Sequence, residues 1–251
     1  MYNTYMNHVV SARSEGTSLS HESMTIEVYS DIVCPWCYIG ERRLERALAS
    51  RPPGERVDVV FRPYQLDPGA SETAVPLLDH LQRRFGARTQ GMLDAVTQAA
   101  ESEGLTLAWD RALSANTRTA HRLLQWALRE GGPEVQRKLV DALFALHFTN
   151  GGNVADNEQL VAAAASVGLD ADGARAYLAS DEGVSELEAE LDKARALGIT
   201  SVPTFVIDGR YAVQGAQPAS TFVSVLEQVR STREASTASP GDSCTDGACA
   251  I

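Results

Sequence analysis

Two cysteines separated by a proline and a tryptophan, Cys34-Pro35-Trp36-Cys37, stand where a strand-like run turns directly into a helix-like one. Before them, residues 24–30 (MTIEVYS) alternate Ile26 and Val28 with polar neighbours, the period-two pattern of a half-buried strand. After them, Leu44, Ala47 and Leu48 recur at helical spacing until Arg51-Pro52-Pro53-Gly54 stops the pattern. Val57 to Phe61 then supply a second β-branched run. Strand, helix, strand at this length predicts a right-handed crossover between parallel neighbours. The fold must therefore carry both cysteines at the C-terminal end of its first strand.

From Val75 to Leu197 the period changes to 3.6, as in Leu77, Leu78, Leu81 and Phe85, or Leu139, Ala142, Leu143 and Leu146. Pro76 and Pro133 suit first-turn positions, Asn116 an N-cap, and Asp156 with Gln159 a capping-box variant. Five to seven helices are expected. After Gly198, Pro203-Thr204-Phe205-Val206-Ile207 and Tyr211-Ala212-Val213 flank Asp208-Gly209 as a hairpin, and a helix follows from about Pro218 to Arg230. The organisation is α/β: a βαβ unit at 24–70 and a ββα unit at 198–232, with a helical insert at 71–197 between them. Residues 1–23 read as a flexible extension and 233–251 as a flexible tail.

Composition removes several function classes. The 33 acidic residues against 22 basic ones give a formal charge of −11, which disfavours a nucleic-acid face. No apolar run is long enough for a membrane span. The first 23 residues lack the apolar core of a secretory signal, so a cytoplasmic location is expected, where paired thiols are catalytic or metal-binding more often than structural.

The chain has four cysteines, in two close pairs. The first turn of a helix favours a thiolate through its unpaired N–H groups and dipole, which makes Cys34 the exposed nucleophile. Cys37, one turn further, is placed to resolve a mixed disulfide on Cys34, with Pro35 fixing the first turn and Trp36 shielding one side. Half of a zinc site is the competing reading of C-x-x-C. The tail pair, Cys244 and Cys249, encloses Thr-Asp-Gly-Ala, a turn that allows the sulfurs to meet. About eleven residues of coil from Arg233 would span roughly 18 Å on average, so exchange with the first pair is expected; metal binding by this pair stays open. Asp31 is a candidate modulator of the thiolate or an ordinary strand-end carboxylate. His121 and His147 read as packing or surface residues, and Glu186, Glu188, Glu190 and Asp192 as a solvated helix face.

The segment YSDIVCPWCYIG at 29–40, together with Ser201-Val202-Pro203-Thr204, resembles the thioredoxin superfamily. A helical insert between the two halves is similar to the DsbA branch. Asn116-Thr117, Ala120-His121-Arg122, FTNGGNVAD at 148–156 and Gly215-Ala216-Gln217-Pro218 resemble its FrnE-like members, relatives of the 2-hydroxychromene-2-carboxylate isomerases. The likeness spans about residues 24 to 230. It implies a thioredoxin-like fold and a thiol-disulfide oxidoreductase or protein disulfide isomerase without cofactors beyond its redox-active disulfides. It also implies a cis Val202-Pro203 bond beside Cys34, with Trp36, Val202 and Pro203 receiving an extended substrate segment. Partners would be proteins bearing disulfides or thiols and a cellular thiol reductant or oxidant. The sequence departs from the strongly oxidising enzymes in having Pro-Trp rather than Pro-His, and from the isomerases in having Cys34 where they have serine. A metal-thiolate protein on this fold and a glutathione-dependent isomerase of small aromatic acids are the alternatives.

Overall fold

The computed structural model describes residues 23–52 and 55–237. Strand β1 (Met24–Ser30) leads into helix α1 (Pro35–Ala49) and strand β2 (Val57–Pro63), and β1 and β2 pair in parallel from Met24↔Val57 to Ser30↔Pro63. The expected crossover is present.

The insert opens with a two-residue strand, β3 (Val75–Pro76), and helices α2 (Leu77–Phe85) and α3 (Thr89–Ser102). Strand β4 (Leu113–Ser114) pairs with β3, a short ladder that helical periodicity does not reveal. Helix α4 (Arg118–Phe144) is two helical segments joined at Gly132, whose φ of 75° requires a residue without Cβ, and Pro133 opens the second segment. A π-turn (Ala145–Thr149) continues it. Helices α5 (Asn157–Ser166), α6 (Ala171–Ala179) and α7 (Val184–Ala196) complete the insert. Asp156 caps α5 by accepting the Gln159 N–H, whereas Gln159 reaches back to the Asn153 N–H, three residues beyond a capping box. Asn116 is not the N-cap of α4; that position is Thr117, and Asn116 instead accepts the Arg118 N–H and donates to the carbonyls of Pro68 and Ala70.

Strands β5 (Thr204–Ile207) and β6 (Tyr211–Gln214) form the expected hairpin, with Asp208 and Gly209 both at positive φ. The sheet order is β2-β1-β5-β6, β1 lying antiparallel to β5. Helix α8 (Ala219–Thr237) packs along α1, and its Phe222 meets Phe205 of β5 edge-on at 4.7 Å. It runs past the expected end at Arg230, so the tail boundary at 233 moves. Its last turns are held by charge rather than apolar spacing, through Arg233 to Asp208 at 3.2 Å and Arg230 to Glu234 at 3.6 Å.

The outer edge of β2 is closed by α4. Gln136, fully buried, accepts the Phe61 N–H at 2.8 Å and donates to the Phe61 carbonyl at 3.0 Å. An amide side chain thus stands in for a fifth strand where an open edge would invite pairing with another chain. The expected solvated face of α7 is also partly corrected, since Glu188 pairs with Arg118 and Glu190 with Arg62 at 3.4 Å.

Candidate active site

Strand β1 ends at Ser30, the turn Asp31–Val33 follows, and Cys34 is the N-cap of α1 with Pro35 in its first turn. The turn is closed by the Cys34 N–H to the Asp31 carbonyl at 3.0 Å, and the Cys37 N–H donates to the Cys34 carbonyl at 3.0 Å. Proline suits that first turn because its missing N–H would have no helical partner.

Both cysteines are free and buried, 3% exposed for Cys34 and 2% for Cys37. The expectation of an exposed Cys34 is therefore corrected. Its thiol does not cap the helix; it faces the Val202 carbonyl at 3.8 Å. Ionisation of Cys34 would remove that donor and leave the helix N–H groups to receive the negative charge. Burial pushes the Cys37 thiol well above its ordinary value, the Cys34 sulfur adds to the rise, and the Ser30 hydroxyl and Asp31 N–H oppose it. Trp36, expected to shield the pair, is instead among the exposed large apolar residues at 38%. It offers an apolar surface beside the cysteines.

The loop opposite carries a cis Val202–Pro203 bond, as expected. It is tied to the hairpin by the Gly215 N–H to the Pro203 carbonyl at 2.8 Å, and Thr204 Oγ1 donates to the Ser201 carbonyl at 2.8 Å. Gly40 of α1 permits this seat. A Cβ there would stand 3.1 Å from the Pro203 ring and 3.2 Å from the Phe205 ring.

Asp31 is 1% exposed, and its two oxygens have separate partners: Oδ2 accepts the Leu66 N–H at 2.8 Å and Oδ1 lies 3.2 Å from His121 Nε2. His121 is thus the buried partner of Asp31, ninety residues away in sequence. Its place among Leu123, Leu124 and Ala127 on α4 was the available signal, because a histidine on an apolar face needs a polar mate there. His147, on the π-turn, is fully buried and neither ring nitrogen has a partner. Burial lowers it to about 4, with the Asp31 charge opposing the fall. Phe148 meets its ring edge-on at 4.4 Å, beside the Tyr38–Phe144 stack at 4.9 Å.

Among the described residues no three His, Cys, Asp or Glu side chains converge as metal ligands, and no helix is long and apolar enough to cross a membrane. Cys244 and Cys249 lie outside the described residues.

The chain matches the DSBA-like thioredoxin domain over residues 25–227. It is similar to the probable DsbA oxidoreductase of Streptomyces coelicolor, at 36% identity and a TM-score of 0.77, covering 90% of this chain and 96% of that one. Uncharacterized protein YwbO of Bacillus subtilis (strain 168) is 27% identical over 203 residues, 78% of this chain and 92% of its own. The cytosolic disulfide reductase DsbM of Pseudomonas aeruginosa, solved with GSH, shares the fold at 18% identity and a TM-score of 0.58, covering 82% of this chain and 99% of that one. A thioredoxin-like sheet with a helical insert, two buried thiols at the start of its first helix and a match across most of the length together place the chain in the DSBA-like thioredoxin domain family.

Proposed function

We propose that the chain is a thiol-disulfide oxidoreductase that acts on protein substrates through Cys34 and Cys37 in the cytoplasm. The observation that carries this reading is the placement of Cys34 at the start of α1, its sulfur 3.8 Å from the Val202 carbonyl. A substrate segment lying along Val202 would bring its disulfide to that sulfur.

In the reducing direction Cys34 attacks as the thiolate, one substrate sulfur leaves, and a mixed disulfide forms. Cys37 then attacks the Cys34 sulfur, which closes the internal disulfide and releases the second substrate thiol. Oxidation runs the same steps backwards, and isomerisation releases the substrate before Cys37 acts. The raised Cys37 thiol supports the division of labour, since a protonated Cys37 leaves the first attack to Cys34. A cellular thiol would regenerate the pair. The structural likeness to a cytosolic disulfide reductase solved with GSH supports that partner and that location. Trp36, Val202 and Pro203 would bound the substrate groove, and Asp31 would act on the thiols from below. We place the Cys244/Cys249 pair as a second dithiol that exchanges with the first.

The test is capture. Cys37→Ser should accumulate mixed disulfides with substrate proteins, and Cys34→Ser should accumulate none. Equal capture by both variants would overturn the assignment. Stoichiometric zinc released on alkylation of the cysteines would favour the metal-thiolate reading.

A further inference from the structure

Three consecutive carbonyls belong to the loop that faces Cys34, and two of them are engaged within the loop and its hairpin. The Ser201 carbonyl accepts Thr204 Oγ1 at 2.8 Å, and the Pro203 carbonyl accepts the Gly215 N–H at 2.8 Å. Between them, the Val202 carbonyl has a single donor among the described residues, the Cys34 thiol at 3.8 Å. The Val202 N–H has no partner among the described residues. Val202 is half-buried rather than sealed, at the edge of the core that holds both cysteines.

That one donor comes and goes with the chemistry of the sulfur. A thiol has a hydrogen to give, whereas a thiolate or a disulfide sulfur offers only lone pairs. When Cys34 is bonded to Cys37 or to a substrate sulfur, the Val202 carbonyl therefore loses its donor and faces a second acceptor. A half-buried carbonyl in that state gains most from a new N–H. In the reduced protein an arriving N–H adds to an acceptor that already has a donor, and gains less.

We propose that the Val202 carbonyl couples the grip on a substrate strand to the redox state of Cys34, holding the strand's backbone N–H more tightly when Cys34 is in a disulfide than when it is a thiol. The inference rests on the redox reading of the two cysteines and on a substrate segment lying along Val202. During oxidation of a substrate dithiol, two electrons and two protons pass to the Cys34–Cys37 disulfide. The first substrate thiolate bonds to the Cys34 sulfur as the bond to Cys37 breaks, and Cys37 takes the proton which that thiol gave up. The second substrate thiolate then bonds to the first substrate sulfur, the bond from that sulfur to Cys34 breaks, and Cys34 takes the second proton. Only at this last event does Cys34 regain a hydrogen for the Val202 carbonyl. The strand is thus held through the mixed disulfide and loosened once its own disulfide is complete. In the reducing direction the product leaves a protein that still grips it, so the coupling favours turnover that oxidises or rearranges substrate disulfides.

The test measures affinity without chemistry. The probe is the insulin B chain, carboxymethylated on its cysteines and labelled with fluorescein. It is titrated by fluorescence anisotropy at a pH where the reduced protein shows no ultraviolet thiolate absorbance, with the variants kept reduced by a phosphine. The oxidised native chain should bind it about fivefold more tightly than the reduced one. Cys37→Ala, which keeps the Cys34 hydrogen and cannot form the internal disulfide, should bind as the reduced chain does. Cys34→Ala and Cys34→Val, which remove the donor with and without opening space, should bind as the oxidised chain does. A change of shape on disulfide formation cannot produce that split, since none of the three variants contains the disulfide. Equal affinity across the three variants, or a reduced native chain that binds as tightly as the oxidised one, would overturn the proposal. Absence of probe binding by every form, the oxidised native chain included, would instead overturn the placement of substrate along Val202 beneath it.

Discussion

Glu41 and His147 are buried titratable groups that pull the stability of this protein in opposite directions. His147 titrates at about 4 when folded because its ring is desolvated. Its folded value lies below its unfolded one, so the stability it permits is complete above about pH 6.5 and lost as pH falls toward 4. Glu41 of α1, 1% exposed, is pushed up to about 7 by burial and by Asp141, against the pull of Arg137 and Arg42. Its folded value lies above its unfolded one, so its contribution is complete below about pH 4.5 and lost as pH rises through 7. Each effect amounts to about 3 kcal/mol, and over the shared window they nearly cancel. In urea titrations the two slopes should therefore oppose each other between about pH 4.5 and 6.5. His147→Leu should gain stability on acidification over that window and Glu41→Gln should lose it, and curves parallel to the native one would refute both assignments.

At the scale of elements, the close approaches decide. Gly40 admits the Pro203 loop against α1, so Gly40→Leu should cost about 2 kcal/mol or more through overpacking. Gln136→Leu should cost on the order of 2 kcal/mol, because the Phe61 N–H and carbonyl and the Leu124 carbonyl lose their bonds inside the protein. Chemical denaturation reads both, and an unchanged midpoint in either variant would show that the contact carries no energy. These elements also show what a chain of letters reveals. The Asp156 cap and the Asp208-Gly209 turn were legible because their partners lie within a few residues. The cysteines were legible because their chemistry needs only the strand-to-helix junction. Gln136 reaches Phe61 across seventy-five residues and His121 reaches Asp31 across ninety, and no local pattern encodes such a pairing. The last turns of α8 were missed for the same reason, since Asp208 holds them from another element.

Across the whole molecule the insert is part of the core. Helix α4 seals the β2 edge through Gln136 and delivers His121 to Asp31 at the end of β1, so the two halves of the sheet and the helices between them should unfold in one transition. Removal of residues 238–251 should leave the melting temperature within about 2 °C of native, whereas removal of 231–251 should lower it by more, as Arg233 and its bond to Asp208 are lost. Calorimetry separates the two, and an equal effect of both truncations would contradict the role given to the last turns of α8.

The direction of α8 sets the kinetic order of one reaction. Arg233 of α8 pairs with Asp208, which bonds Thr25 at the start of β1, the pole of the sheet opposite Cys34. Six residues separate Thr237 from Cys244, so that sulfur lies within about 25 Å of Thr237 at full stretch. The fifteen residues of α1 alone occupy about 22 Å between the poles. Cys249, twelve residues past Thr237, reaches about 40 Å at full stretch, so the tail dithiol can touch the Cys34 of its own chain without being drawn taut. Exchange between the two dithiols should therefore be unimolecular, its half-life independent of protein concentration. Mixing a Cys34→Ser/Cys37→Ser chain with an oxidised tail into reduced Cys244→Ser/Cys249→Ser chains should transfer the disulfide more slowly than the native chain does, and transfer at the native rate would refute the intramolecular reach.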